Sequence, residues 1–129
     1  TMSYIIFSID NVTDTHTLAK FMRHIDTLNV MQKTKGFMQI CYGSWEGIIE
    51  QSFIMRRDDF DKHVRPSGYV SCQESFLHVP ADRRQPCVLE YQDGTKIGIG
   101  PMQSVTKEHA LTLSGWTFNP KLNEYFAAG

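Results

Sequence analysis

The sequence has few of the features that assign a function by themselves. Its three cysteines, Cys41, Cys72 and Cys87, are an odd number and include no C-x-x-C pair of the kind found in zinc and redox sites. Lys and Arg number 13 against 14 Asp and Glu, so the chain lacks the basic excess of a dedicated nucleic-acid-binding protein. The five histidines show no metal-ligand spacing. We therefore expect reduced cysteines, no metal site, and a small molecule or a protein as the partner.

Long hydrophobic runs are also absent. The most apolar stretch, residues 4–9, is too short to span a membrane or to form the core of a secretion signal, and no basic segment precedes it. We expect a cytoplasmic protein with no membrane partner. Its 129 residues, 41% of them hydrophobic, are enough for one domain, over residues 2–129, that buries a core without disulfides.

Hydrophobic patterning predicts an α+β fold. Residues 4–9 are typical of a buried strand, and from Thr13 to Leu28 the apolar residues recur at helical spacing, with Thr13 or Asp14 as the N-cap. Further elements are strands at 36–42, 48–55, 71–79, 87–91 and 95–99, and short helices at 56–64 and 106–113. The order β-α-β-β-α-β-β-β predicts a small sandwich of a mainly antiparallel sheet with helices on one face.

Two predicted strands share a pattern of polar residues among apolar ones. Glu50 and Ser52 lie on one face of the strand at 48–55, and Gln73, Glu74 and Ser75 repeat the pattern. A carboxylate between branched apolar residues is costly to desolvate unless it finds a cation or hydrogen-bond donors. Either this face meets solvent and the likeness is chance, or both strands line one cleft with an acidic floor suited to a cationic ligand or a ribose diol.

The predicted turn at 43–47 is rich in glycine but lacks the G-K-[ST] ending of a phosphate-binding loop. The rings of Tyr42 and Trp45 beside it would suit stacking on a base or contact with a cation, and packing in a core or an interface is the alternative. The aromatic residues of the chain exceed what a small one-sided core needs, which favours a subunit interface.

The chain resembles the S-adenosylmethionine (SAM) degrading enzymes encoded by bacteriophages, long called SAM hydrolases and now regarded as SAM lyases. The residues that carry the resemblance lie at 35–37 (KGF), 42–53 (YGSWEGIIEQSF), 73–77 (QESFL) and 87–94 (CVLEYQDG). It extends from the first predicted strand to Trp116 and Thr117, but residues 56–69 match no pattern of the family.

The resemblance implies an enzyme that cleaves SAM to 5'-methylthioadenosine and homoserine lactone and so counters restriction in the cytoplasm of the infected host. It implies a homotrimer of PII-like subunits with sites between them, no metal, and no cofactor, since SAM is the substrate. The family's catalytic glutamate falls on Glu50. Tyr42 falls near the sulfonium or amino acid moiety, Glu74 near the ribose, and the neighbouring Ser52, Gln73 and Ser75 complete the substrate-binding set.

Two forms of this chemistry stay open at this stage. In a lyase the substrate's own carboxylate attacks Cγ and expels methylthioadenosine, so the enzyme needs only to fold the substrate and exclude water. In a hydrolase Glu50 would act as a general base on water. The alternatives to an enzyme are a non-catalytic, PII-like or ferredoxin-like protein that binds a nucleotide or sequesters one against host defence, and a protein-interaction domain.

Overall fold

The computed structural model describes residues 2–34 and 38–129. Its strands are β1 (Tyr4–Phe7), β2 (Gln39–Trp45), β3 (Ile48–Arg56), β4 (Ser75–Val79), β5 (Cys87–Tyr91), β6 (Lys96–Gly100), β7 (Met102–Val105), β8 (Gly115–Asn119) and β9 (Glu124–Ala128). These nine strands of the described residues form one sheet in the order β6-β5-β4-β1-β3-β2-β8-β9-β7. Every pairing is antiparallel. The predicted α+β class with a mainly antiparallel sheet is confirmed.

Helix α1 (Thr15–Val30) begins where its cap predicts. The carboxylate of Asp14 accepts hydrogen bonds from the Thr17 backbone N–H, at 3.3 Å, and from the Thr17 hydroxyl, at 2.6 Å. Such a cap satisfies a backbone donor that the first helical turn leaves without a partner. Phe21 and Ile25, four residues apart, are buried and turn the apolar stripe of the helix toward the sheet. No helix in the described part of the chain is long and apolar enough to cross a membrane.

After β3 the chain forms short helical turns: α2 (Arg57–Asp59), a π-helical turn (Phe60–Val64) and a 3-10 turn (Arg65–Ser67). The predicted helix at 56–64 is therefore present in distorted form. Gly68, with a φ of 87°, ends the segment as predicted, because this left-handed conformation suits glycine.

The sheet has an outer face that packs against α1 and these helical turns. Phe7 of β1 contacts Phe60 with ring centroids 4.8 Å apart, and Phe21 of α1 contacts Phe53 of β3 at 5.0 Å. All four rings are at most 3% exposed. Burying a side chain of this size is worth roughly 1.5–3 kcal/mol, so this aromatic layer is the main core of the protein.

The opposite, inner face holds a second and smaller core. Because side chains alternate along a strand, Ile6 points to this face while its neighbours on β1 point to the helices. Val79, Cys87 and Met102 are buried here, and Leu77 packs against them. The inner face is therefore apolar at one end, where β1, β4, β5 and β7 contribute side chains.

The sheet curls until its two edge strands meet. β6 and β7 occupy opposite ends of the strand order, yet only Pro101 separates them in the chain. The turn between them needs Gly100, which has a φ of 108° and lies so close to Gly129 that an added Cβ would be 2.7 Å from its Cα. The Gly129 N–H also donates to the Pro101 carbonyl, at 3.3 Å. The sheet is thus nearly closed and barrel-like, and it is not clearly the PII-like or ferredoxin-like sheet that we expected.

The third helix departs from the expectation that helices lie on one face. Helix α3 (Lys107–Ala110) starts at Thr106, whose hydroxyl accepts a hydrogen bond from His109 N at 3.2 Å. It packs beside β9, and His109 lines the inner side of the sheet rather than the outer face.

Several predicted boundaries also change. Residues 116–118 received no element in the sequence analysis and lie in β8, and β7 and β9 were missed, because strands of four or five residues are too short for their alternation to stand out. β2 runs on to Trp45, so the turn shrinks to Glu46 and Gly47, whose φ angles of 51° and 85° suit a tight hairpin. Gly36 and Phe37 of the predicted second strand lie outside the described residues.

Candidate functional site

The inner face encloses a cavity of about 810 Å³, to which all nine of these strands and α3 contribute residues. Cavities of this size suit a small molecule, and the mouth of a barrel is a common place for one. Apolar side chains such as Ile6, Leu77 and Phe126 form part of its wall. The rest includes carboxylates, hydroxyls, amides, aromatic rings and the imidazole of His109, so the cavity combines an apolar surface with polar groups that would orient a ligand.

Five of the six site residues nominated from the sequence line this one cavity: Glu50, Ser52, Gln73, Glu74 and Ser75. The strand order of the sheet explains how these residues come together. β1 lies between β3 and β4 in the strand order, so the two Glu-containing segments approach each other across a single strand. The acidic residues Glu50 and Glu74 are exposed to solvent, whereas Ser52 is only 6% exposed.

Tyr42, the sixth nominated residue, does not line the cavity. It is paired with Gln51 on one side and with Phe118 on the other, and these positions alternate with the inward-facing Gly43 and Glu50. Tyr42 therefore projects from the outer face, where 42% of it is exposed. Within a single chain the structure separates Tyr42 from Glu50 by the thickness of the sheet.

Next to Glu50, the cavity wall includes a glycine, Gly43, which has no side chain. Gly43 is paired with Glu50 on β3 and with Thr117 on β8. A methyl group at position 43 would lie 3.1 Å from Ser52 Oγ, so the space over Gly43 is already bounded by that hydroxyl. The Ser52 hydroxyl donates to the Glu50 carbonyl at 3.4 Å, and Thr117 is 7% exposed. The Ser52 hydroxyl therefore covers Gly43 on the cavity side, at the strand position paired with Glu50.

The loop before β4 is held by Asp10. The Asp10 carboxylate accepts hydrogen bonds from Gln73 Nε2 at 2.9 Å, from the Cys72 backbone N–H at 2.8 Å and from the Ser71 hydroxyl at 3.2 Å. These bonds explain why β4 starts at Ser75 and not at residue 71 as predicted. They also use the Gln73 amide nitrogen within the protein. Gln73 therefore acts mainly by positioning the segment that carries Glu74.

The strand position paired with Ser52 holds a thiol that is not reactive. Cys41, paired with Ser52, is fully buried, and burial raises the pKa of its thiol to about 12. A neutral thiol is a poor nucleophile and a poor metal ligand. Within residues 2–34 and 38–129, no three His, Cys, Asp or Glu side chains are grouped so that they could hold a metal ion. The groups available to a ligand therefore include carboxylates, hydroxyls, aromatic rings and the imidazole of His109.

Three further lining residues escaped sequence reasoning: Tyr91, His109 and Thr117. Tyr91 is paired with Ser75 across β4 and β5, so the same face pattern that selected Ser75 would have found it once the register was known. Thr117 was hidden between Trp116 and Phe118 in a strand that was not predicted. His109 shows no motif in the sequence that would single it out.

A second cleft, of about 300 Å³, shares Tyr91 with this cavity and is otherwise lined by a different set of residues that includes Arg57, Asp61, Glu90 and Lys96. Arg57 pairs with both carboxylate oxygens of Glu90, one of them at 2.8 Å, and Glu90 is 6% exposed. Burial alone would raise the pKa of Glu90, but the hydrogen bonds and charge of Arg57 outweigh it and hold that pKa below its usual value. His78 lies 3.6 Å from Glu90, and burial together with the nearby Arg57 charge lowers its pKa. This cluster ties β5 to the segment after β3.

Comparisons with known proteins do not assign the chain to a family. No protein-family profile matches the chain, and no curated protein matches it.

Proposed function

We propose that this protein is a SAM lyase that cleaves SAM to 5'-methylthioadenosine and homoserine lactone. The observation that carries the proposal is that one cavity is lined by Glu50, Ser52, Gln73, Glu74 and Ser75. The resemblance to the phage enzymes carries Glu50 and Glu74, and the repeated polar pattern of the two segments adds Ser52, Gln73 and Ser75. Segments more than 20 residues apart in the chain meet in a space of ligand size.

The charge of the cavity suits this substrate. SAM carries a sulfonium and an ammonium group, and a carboxylate attracts either one by about 4 kcal/mol at 4 Å in the partly screened surroundings of a protein surface. Glu50 and Glu74 supply two such carboxylates on the wall. We assign Glu50 to the sulfonium and amino acid moiety. We assign Glu74 to the ribose hydroxyls, because a carboxylate accepts hydrogen bonds from hydroxyl groups.

The reaction balances without a protein base or nucleophile. A carboxylate oxygen of SAM attacks its own Cγ, forming the C–O bond of a five-membered lactone. The Cγ–S bond breaks and its electron pair returns to sulfur, which becomes the neutral thioether of methylthioadenosine. The lactone keeps the ammonium group and no proton moves. Holding the substrate in this folded form and excluding water supplies the rate enhancement.

Water exclusion gives a role to further subunits. Glu50 is exposed in a single chain, and Tyr42 projects from the outer face. We propose a homotrimer of the PII-like kind in which the outer face of one subunit closes the cavity of the next. Tyr42, Phe118 and Tyr125 cluster on that face, with the last two rings 4.6 Å apart, and would form the contact. The site of action in this proposal is the cytoplasm of an infected bacterium, where SAM depletion would counter restriction.

One observation favours a second candidate. Because solvent reaches Glu50, the cavity of a single chain is not a dry site, and a dry site is what the lactone-forming reaction requires. A non-catalytic protein that binds SAM or a related adenosine compound would use the same carboxylates without excluding water. This candidate predicts that the ligand raises the melting temperature and is recovered intact.

The deciding experiment incubates the protein with SAM and follows methylthioadenosine by chromatography. We expect turnover by the wild type, a large loss in Glu50→Gln, and full activity in the matched control Glu46→Gln, which removes a carboxylate from the hairpin turn outside the cavity wall. Early homoserine lactone would identify a lyase and early homoserine a hydrolase. Absence of turnover, or unchanged turnover in Glu50→Gln, would refute the proposal.

A further inference from the structure

Trp45 occupies an unusual place on the rim of the cavity. It is the last residue of β2, lines the cavity and is 56% exposed. A large aromatic side chain left half in water gives up much of the free energy that its burial would provide. Exposed tryptophans of this kind are typical of surfaces that bind a partner or a ligand.

A glycine holds the indole in place. Trp45 is paired with Gly115 on β8, so both residues face the cavity side of the sheet. A Cβ at Gly115 would lie 2.9 Å from Trp45 Cε3 and 3.0 Å from Cζ3, closer than carbon atoms approach. The indole therefore leans across β8 in space that only glycine leaves open. One edge of the ring is packed, and the rest stays accessible from the cavity.

The position of Trp45 relative to Glu50 suggests which part of a ligand it meets. Trp45 is paired with Ile48, and Gly43, two residues earlier, is paired with Glu50. One same-face step along a strand is about 7 Å, so Trp45 follows the Gly43–Glu50 pair by that distance along the strand, and its indole leans toward β8, on the side of β2 away from Glu50. A ligand whose cation meets Glu50 would place a second group, flat and uncharged, against the indole.

We infer that the adenine base of the ligand stacks on Trp45, and that Gly115 is a specificity-determining residue because it sets the position of the indole. The inference rests on the proposed function, since it takes the ligand to be an adenosine compound. It also differs from the sequence-based prediction, which chose Tyr42 and not Trp45 as a substrate-binding residue, because Tyr42 lies on the outer face and Trp45 on the cavity wall.

The test uses 5'-methylthioadenosine, which carries the base but no charge, and measures its dissociation constant by calorimetry. Truncating an aromatic ring under a stacked base weakens binding roughly 5- to 150-fold. We expect a loss in that range for Trp45→Ala and substantial recovery in Trp45→Phe, which keeps an aromatic face. If wild-type protein binds methylthioadenosine and Trp45→Ala binds it equally well, the inference is wrong while the proposed function stands. If the wild type neither binds methylthioadenosine nor turns over SAM, both are wrong.

A glycine pair tests the position of the ring without removing it. Gly115→Ala would displace the indole, at little cost in stability because the ring is the far end of a side chain, and we expect weaker binding of methylthioadenosine. Gly98→Ala is the matched control, since a Cβ there meets nothing within 4 Å. Equal affinities in the two variants would contradict the role of Gly115.

Fluorescence adds a readout that a purely structural role would not change. The chain has two tryptophans, so Trp116→Phe leaves Trp45 as the only indole. We expect methylthioadenosine to quench its emission with the dissociation constant found by calorimetry. Binding without any change in Trp45 emission would overturn the inference.

Discussion

Two glutamates of the same sheet show how differently one residue type is used. Glu90 is 6% exposed and paired through both oxygens with Arg57. Glu50 is exposed on the cavity wall, and no cation among the described residues forms an ion pair with it. A carboxylate that already holds a cation contributes to folding, whereas one that faces a cavity without a cation is available to a charged ligand. The comparison predicts that Glu90 governs stability and Glu50 governs ligand chemistry.

The largest effect expected is on activity in Glu50→Gln. If Glu50 binds the sulfonium as proposed, removing its charge should lower kcat/KM for SAM by roughly 100-fold or more, the size of a lost charge contact in a partly screened site. The free energy of unfolding should change by less than about 0.5 kcal/mol, as for other exposed residues without a partner. Denaturant unfolding together with a SAM turnover assay checks both. A large loss of stability would mean that Glu50 is a structural residue like Glu90.

The reverse pattern is expected for Glu90→Gln. The variant leaves Arg57 with a neutral partner in a largely buried place and should lower the free energy of unfolding by roughly 3 kcal/mol. This is the lower end of the range for buried pairs, because Arg57 is 29% exposed. Activity per folded molecule should stay near the wild-type value. Urea unfolding and active-site titration with methylthioadenosine separate the two quantities, and loss of ligand binding in fully folded protein would break the comparison.

The pH dependence of stability should follow Glu90. Its pKa is lower in the folded protein than in the unfolded chain, where it is about 4.3, so the unfolded state binds more protons in the window between the two values. The contribution of the pair is complete above about pH 4.3 and is lost as the pH falls through the lower, folded value. The stability difference between wild type and Glu90→Gln should therefore shrink on acidification. A difference that grows below pH 4 would show the opposite sign of the shift.

Gly43→Ala tests the cavity wall next to Glu50, with a smaller expected effect than Glu50→Gln. The added methyl would lie 3.1 Å from Ser52 Oγ, so that hydroxyl must move and the ligand loses space over the backbone. We expect methylthioadenosine to bind about 3- to 10-fold more weakly, corresponding to roughly 1 kcal/mol, with Gly98→Ala unaffected. Equal affinity in the two alanine variants would show that the ligand does not approach Gly43.

The smallest expected effect comes from a variant on the outer face of the sheet, at the cap of α1. Asp14→Ala removes the cap of α1 and should cost about 1 kcal/mol of unfolding free energy, with no change in the affinity for methylthioadenosine. Thermal unfolding with and without ligand measures both. A change in affinity would mean that the helix on the outer face influences the cavity on the inner face.

Local signals predicted much of this fold. Asp14 as a cap, the apolar spacing of α1 and the hairpin between β2 and β3 act over a few residues, and the structure confirms them. The closing strands were missed because β7 and β9 are too short to show a pattern. β9 follows a turn that includes Asn123, at a φ of 52°, and its place beside β7 depends on pairings with residues at least 20 positions away in sequence.

The candidate site divides in the same way. The sequence placed Glu50 among apolar neighbours and showed the repeated pattern at Glu74, but it led to Tyr42, and not Trp45, as the aromatic residue of the site. The register of β2 between β3 and β8 decides between them, since one position along a strand moves a side chain to the other face.

What the sequence by itself determined is the set of local elements and the residue types that a cationic adenosine ligand would need. Only the tertiary structure decided that the Glu50 and Glu74 segments line one cavity, that Trp45 faces it and that Tyr42 does not. The physical reason is that helical turns and hairpins arise from interactions between near neighbours. Strand order, register and the closing turn at Gly100 arise from pairings between segments that are distant in sequence. The free energy of these pairings cannot be inferred from a local sequence pattern.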